Sequence, residues 1–330
     1  MHTYVITPLS LWNAASLGWK PDLVIESLKK YSKYPIPANI VQDIIELMGR
    51  FGKLILKKKD DNLLIIQSKD KNLVKQFSLH PKLSSLFGKY ISDNEIEVLP
   101  KYRGHIKKIF ISLGYPVHDL AGYVDGEKFD MRLRDVCLDG NPFYLREYQS
   151  LASDSFMGTS SMPGGSGVVL LPCGAGKTIV GLSVLARLKR KSLILVTNIT
   201  AAHQWKREIL NRMVIQEEDI GEYSGESKEI KPITIATYQI LTYRKRKIDP
   251  FIHFDIFNKE NWGIIIYDEV HLLPAPVFKF TAEIQARRRL GLTATLIRED
   301  GHEKDVFTLI GPKKYDVPWK VLEKQGWIAS

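Results

Sequence analysis

The sequence contains two cysteines, Cys137 and Cys173, in 330 residues. That is too few for a disulfide framework, and it points to a reducing, cytoplasmic setting. No apolar run approaches the ~18 residues that a membrane span requires; Leu63 to Ile66 and Gly263 to Tyr267 are among the longer ones. Residues Met1 to Ser10 lack the basic-then-apolar layout of a secretory signal, and no internal repeat is visible. Acids are in deficit, 37 against 47 basic residues, giving a net charge of +10. Such a balance favours a polyanionic partner such as nucleic acid. The excess is shared between residues 1–140 and 141–330, so neither half is a basic tail.

What is present is an ordinary globular composition, 44% hydrophobic and 25% charged, over a length that suggests about two domains. Pro8 to Leu17, Asp22 to Tyr31 and Ala38 to Arg50 are helix-like; the last carries Ile40, Val41, Ile44, Ile45 and Met48 at helical spacing. Lys53 to Lys58 and Asn62 to Gln67 read as a hairpin with a basic tip at Lys57, Lys58 and Lys59. Three helices and a hairpin suggest a winged-helix-like domain over 1–68, which either binds DNA or docks a protein. Residues 69–138 read as a small α/β unit with a helix from Asn72, a strand at Glu95 to Leu99 and a helix around Arg103 to Leu113. Its basic cluster Lys101, Arg103, His105, Lys107 and Lys108 either tracks a phosphate backbone or forms the wet face of a helix. Asp139-Gly140-Asn141-Pro142 carries the strongest turn signals and is the expected linker.

From residue 139 to 330 apolar strands alternate with helices: Val168 to Leu171, Leu193 to Thr197, Ile233 to Tyr238, Trp262 to Tyr267 and Leu290 to Thr293. The fold class is α/β, a mostly parallel sheet with helices on both faces and its chemistry at the carboxyl ends of the strands. The first strand runs into Pro172-Cys173-Gly174-Ala175-Gly176-Lys177-Thr178, where a helix opens. This is a phosphate loop: amides of Gly174, Ala175, Gly176, Lys177 and Thr178 can surround phosphate oxygens, Lys177 reaches the β and γ phosphates, and Thr178 ligates Mg²⁺. Leu171 stands where the strict pattern has glycine. Farther along, the apolar strand Ile264-Ile265-Ile266-Tyr267 ends in Asp268-Glu269. Asp268 would hold Mg²⁺ and Glu269 would orient or deprotonate the attacking water. ATP hydrolysis is the expected chemistry, with ATP and Mg²⁺ as ligands.

Asp268-Glu269-Val270-His271 resembles the DEVH box of superfamily 2 helicases. On that resemblance Leu145-Arg146-Glu147-Tyr148-Gln149 is similar to the Q motif, with Arg146 and Gln149 at the adenine. Thr197 and Asn198, within Val196 to Thr200, and Thr237 are similar to motifs that contact a nucleic-acid backbone. Thr293-Ala294-Thr295 resembles motif III, so that His271, Thr293 and Thr295 would couple the γ-phosphate to the nucleic acid. Within the superfamily the match is to the XPB type of DNA repair helicases and its bacterial members. It rests on Leu170 to Thr178, Ile265 to Pro276 and Gly291 to Gly301, where Arg298-Glu299-Asp300 resembles the RED motif placed near the DNA fork. Tyr4 to Asn13 and Asp119 to Gly126 resemble that family's accessory region, which includes a damage-recognition domain. The resemblance covers nearly the whole chain.

The resemblance implies a RecA-like domain over 139–330, 3′→5′ polarity, a role in nucleotide excision repair, DNA as partner with a repair or nuclease protein beside it, and a nucleoid-associated cytoplasmic location. The second RecA-like domain of such motors, with its arginine finger, is not found in the sequence. Residues 1–330 therefore read as a fragment that binds ATP·Mg²⁺ and turns it over slowly. The loop from Met157 to Gly167 is longer than the family leads one to expect. Two rival functions stay open: an RNA-directed helicase of the same superfamily, and a non-catalytic module that senses nucleotide and docks a partner.

Overall fold

The computed structural model describes residues 6–60, 63–159, 164–246, 249, 251–281, 287–295 and 303–327. They form two compact units that divide between Gly122 and Tyr123.

In the first unit, Thr7 and Ser10 cap the first helix reciprocally, each backbone N–H donating to the other's hydroxyl at 3.0–3.1 Å, with Pro8 at the first helical position. Helix α1 (Pro8–Ser16) packs with α2 (Pro21–Tyr31) and α3 (Ala38–Arg50) on a small core of Leu11, Ile25, Ile44 and Met48. There follow β1 (Leu54–Asp60), β2 (Leu63–Gln67), α4 (Lys71–Ser78), β3 (Phe87–Ser92), β4 (Glu95–Val98), α5 (Arg103–Ser112) and β5 (Val117–Asp119). The strands make one sheet in the order β3-β4-β2-β1-β5.

This sheet differs from the expected organisation. A wing would be a free ribbon, whereas β2 pairs with β4 from Leu64↔Val98 to Gln67↔Glu95, and β1 pairs with β5 from Leu54↔Val117 to Leu56↔Asp119. The expected boundary at 68 thus falls inside a sheet. The cause is apolar: Leu54, Leu56 and Ile66 need a cover that two strands cannot supply, and Phe77 of α4 and Phe110 of α5 provide it. At the hairpin tip, Lys57 and Lys59 both pair with Glu95, at 3.5 and 2.8 Å.

The basic face of α5 also turns inward in part. Arg103 grips Asp119 with two bonds, Nε to Oδ2 at 3.0 Å and Nη2 to Oδ1 at 2.7 Å; Lys107 Nζ adds a third at 2.9 Å and Ala121 N a fourth at 3.2 Å. Despite the burial that opposes its ionisation, the two cations hold the Asp119 carboxyl far below the usual carboxylate range.

The second unit begins at Tyr123, ahead of the expected linker. Glu127 N donates to Asn261 O, Phe129 N to Lys189 O and Arg134 N to Arg212 O, so this stretch is stitched to the unit by its backbone. The two-residue strand β6 (Arg132–Leu133) pairs with another two-residue strand at Met213–Val214. The Asp139–Pro142 turn exists, with Gly140 at φ 86°, but it folds back on Asn211 rather than bridging two units. Then come α6 (Glu147–Met157), β7 (Ser166–Leu170), α7 (Lys177–Leu188), β8 (Ser192–Val196), α8 (Ile199–Arg212), β9 (Met213–Val214, the partner of β6), β10 (Ile220–Tyr223), β11 (Ile233–Thr237), α9 (Tyr238–Leu241), β12 (Ile264–Asp268), β13 (Arg288–Thr293) and β14 (Lys313–Asp316).

Seven of these strands form a sheet in the order β10-β11-β8-β12-β13-β7-β14, and every pairing is parallel. Its central strands are continuously apolar because each serves two cores. Ile194 and Val196 of β8, with Ile264 and Ile266 of β12, face one layer; Leu193, Leu195, Ile265 and Tyr267 face the other. All the strands end on one edge, where β7, β13 and β12 present their carboxyl termini side by side. Among the described residues no helix is long and apolar enough to cross a membrane.

Candidate nucleotide site

The loop between β7 and α7 is shaped by two glycines. Gly174 has φ 78° with open space around it, so its requirement is conformational; Gly176, at φ 80°, is also crowded, and a Cβ there would lie 2.5 Å from Gln149 Nε2. From this loop Lys177 opens α7, and its Nζ lies 3.1 Å from Glu269 Oε1. Phosphate loop and acidic strand end, which the sequence separates widely, therefore meet across one site.

The two acids are held differently. Asp268 Oδ2 accepts a bond from Trp205 Nε1 of α8 at 2.8 Å, and Oδ1 accepts from Glu269 N at 3.1 Å. Burial pushes the Asp268 carboxyl above its usual range, and nearby Glu269 adds to the rise against the Trp205 bond and Lys177. Glu269 sits in the left-handed region, φ 48° and ψ 54°, a strained conformation for a non-glycine residue. Its Oε2 is buried without a hydrogen-bond partner.

Behind the acids lies a relay. His271 Nδ1 is 2.7 Å from Thr293 Oγ1 and 3.4 Å from Glu269 Oε2. Thr293 donates its only hydroxyl hydrogen to Thr295 O at 2.5 Å, so the bond to His271 requires a hydrogen on Nδ1. The three residues that the sequence groups as coupling elements form one chain of contacts ending at Glu269.

These side chains face a cavity of about 560 Å³ whose lining includes Arg146, Gln149, Gly174, Gly176, Lys177 and Thr178 with both acids; Phe143, Tyr144 and Trp327 extend it. Ala175 is buried beneath, and its carbonyl accepts from Tyr148 Oη at 2.8 Å and Gln149 Nε2 at 3.1 Å. Gln149 Oε1 meanwhile accepts from Arg146 N at 3.1 Å. The Gln149 amide thus braces the phosphate loop, leaving one N–H and one lone pair for a ligand. Arg146 stacks its guanidinium 4.5 Å over the Trp327 ring.

The residues expected at nucleic acid do not join this cluster. Thr197 and Asn198 stand at the end of β8, where the Asn198 side chain caps α8 by accepting from Ala201 N at 2.9 Å. Thr237 is 1% exposed, and its hydroxyl accepts from Ile240 N to cap α9. Arg298, Glu299 and Asp300 lie outside the described residues. Sequence reasoning missed Trp205, the partner of Asp268, and Tyr238, whose Oη donates to the Asp268 carbonyl at 2.8 Å. No local signal marks either, because each meets the site only through the sheet.

Comparison with known proteins agrees with this geometry. Residues 142–298 match the family described as type III restriction enzyme, res subunit, and residues 1–92 match one described as helicase conserved C-terminal domain. Over 329 residues the chain is 50% identical to the DNA 3′-5′ helicase XPB of Mycobacterium tuberculosis, covering 100% of this chain and 58% of that protein. It is 49% identical to the protein of the same name from Kineococcus radiotolerans, covering 100% and 57%. It is 34% identical to the putative DNA 3′-5′ helicase Rad25 of Haloarcula marismortui, covering 85% and 42%. The chain thus spans little more than half the length of the first two of these relatives.

Proposed function

From its homology to the XPB DNA 3′-5′ helicases, which runs the whole length of the chain, we propose that this protein is the ATP-binding part of a superfamily 2 DNA motor. The observation that carries the proposal is the meeting of Lys177 with Asp268 and Glu269 at the mouth of one cavity. The donor set suits ATP·Mg²⁺. Two recessed carboxylates share a single lysine, one of them is pushed toward its neutral form, and Glu269 Oε2 has no bond of its own. A divalent cation held by Thr178 and Asp268 would supply the charge neutralisation that phosphoryl transfer needs.

The chain's own groups then have defined work. Amides of the 174–178 loop and the Lys177 ammonium bind the phosphates, which draws Lys177 away from Glu269. The freed carboxylate is left to orient a water and take its proton. His271 and Thr293 report that change along the 270–295 stretch. Arg146 and Gln149 lie where an adenine would rest.

A complete motor of this type would carry a second RecA-like domain across the cavity. An arginine from such a domain is worth ~10³ to 10⁵ in rate, so residues 1–330 by themselves should bind ATP·Mg²⁺ and turn it over slowly. DNA is the track, with a repair or nuclease protein as companion, in the cytoplasm beside the nucleoid. The test is Glu269→Gln in the full-length protein. DNA-stimulated turnover should fall by ~10² to 10⁴ with ATP affinity changed only a few-fold, and undiminished turnover would refute the assignment of Glu269.

A further inference from the structure

Several cations of the second unit pair with acids. Arg187 pairs with Asp154, Lys189 with Asp130, Lys191 with Glu127 and Glu260, Lys206 with Glu217, Arg212 with Glu208 and Lys313 with Asp316. Others do not, and three of these are consecutive. Arg244, Lys245 and Arg246 are all exposed, and none has a carboxylate partner among the described residues. Tyr243 beside them is 50% exposed.

The stretch is held in shape. Tyr243 N donates to Ile240 O at 3.2 Å at one end, and at the other Arg246 N donates to Asp249 Oδ2 and Asp249 N to Arg246 O, both at 3.0 Å. The nearby carboxylate therefore serves a backbone amide and not a guanidinium. Arg244 lies 4.9 Å over the Phe251 ring, and Tyr243 meets His253 ring to ring at 6.2 Å. His253 is tied to Tyr223 Oη at 2.8 Å, and burial followed by the field of Lys228 keeps its imidazole below the ordinary range. The floor of the loop is thus aromatic.

Its position gives the charges a use. The loop leaves β11 through α9, on the carboxyl edge of the sheet that also carries the phosphate loop and the two acids. Thr237, at the end of the same strand, is turned into the fold. We infer that Tyr243, Arg244, Lys245 and Arg246 form a DNA-backbone site, in which the three cations bind strand phosphates and Tyr243 lies against a sugar or base. Unpaired cations presented on an anchored loop suit phosphate contact, and an exposed aromatic among them suits stacking. The inference rests on the DNA-motor reading.

The test is DNA affinity of the 330-residue chain across a salt series, for the wild type and for the triple variant Arg244→Ala, Lys245→Ala, Arg246→Ala, with ATP binding as the check on folding. Neutralising three phosphate contacts should flatten the log K against log salt slope by about 2 to 3 and weaken binding roughly 10- to 100-fold near 0.1 M salt. A variant with both arginines changed to lysine should retain the wild-type slope. If the triple variant binds ATP normally and keeps the wild-type slope, the loop is not a phosphate site. Equal or tighter binding of a matched RNA duplex through these residues would overturn the choice of DNA. If the wild type binds no DNA at any salt, the motor reading itself fails, and the inference with it.

Discussion

Asp119 in the first unit and the Asp268–Glu269 pair in the second both stand at strand ends, withdrawn from solvent, and they differ in how many partners they are given. Asp119 receives two cations and a backbone amide for one carboxylate. The pair at 268–269 has one lysine, one indole N–H and one backbone amide for two carboxylates, with Glu269 Oε2 left without a hydrogen bond. Asp119 is saturated, and its cluster pins β5 to α5. The pair is in deficit, and it opens on a cavity lined by a phosphate loop. A recessed acid with all its bonds made is architecture; one left short of positive charge is a place where a cation and a water belong.

The comparison can be broken most sharply from the catalytic side. Glu269→Gln, already described, should cost turnover by orders of magnitude and leave folding intact. The reverse pattern is expected of Asp119→Asn, which removes the carboxylate that Arg103 and Lys107 share. It should destabilise the first unit by about 3 to 5 kcal/mol with ATP affinity unchanged, read in the whole chain as faster amide exchange in β1 and β5. Slow exchange in that variant would show that the cluster is not structural.

A smaller effect sharpens the contrast within the second unit. Trp205→Phe keeps the packing of a large ring but removes the bond to Asp268 Oδ2. It should weaken Mg²⁺-dependent ATP binding by ~10- to 100-fold, as loss of a supporting bond to a metal ligand does; Mg²⁺ titrations at fixed ATP would measure it.

The mildest probe is pH. The folded-state carboxyl of Asp119 is depressed below its unfolded value near 3.9. Its contribution is therefore fully present above about pH 4 and is lost as pH falls from there toward the folded value. Urea midpoints of the first unit should drop as pH is lowered below 4. Asp119→Asn should show a weaker dependence, and an identical slope would remove Asp119 from the account.

Much of the second unit was legible because its physics is local. A strand buried on both faces must be apolar throughout, so Ile264 to Tyr267 and Leu193 to Val196 announce themselves. A phosphate loop needs small residues and a lysine in order. The edge strands β10 and β14 were not legible. Ile220–Tyr223 places a glycine and a glutamate among four residues, and Lys313–Asp316 has one apolar side chain and a register shift against β7. The start of the unit at Tyr123 was hidden because backbone bonds such as Glu127 N to Asn261 O leave no mark on side-chain pattern. Nor does spacing tell whether a lysine such as Lys107 faces water or a carboxylate; a basic helix face and half of an ion cluster look alike in one dimension. The hairpin at 54–67 was found as a hairpin, and its place in a sheet depended on strands 27 or more residues further along the chain.

The double-sided burial of β12 has a consequence for folding fidelity. Ile264, Ile265, Ile266 and Tyr267 would satisfy either core, so sliding the strand by one residue exchanges faces at little hydrophobic cost, unlike a strand with one wet face. What opposes the slip is the end of the strand. Sliding one way would drag Asp268 into an apolar layer, where an unpaired carboxylate is expensive; sliding the other would pull it off Trp205. The same acids that await a cation therefore act as a positional stop. A chain with Asp268→Leu should fold at least as tightly as the parent while losing certainty about where β12 sits, which makes the charged residue a guarantor of alignment long before any nucleotide arrives.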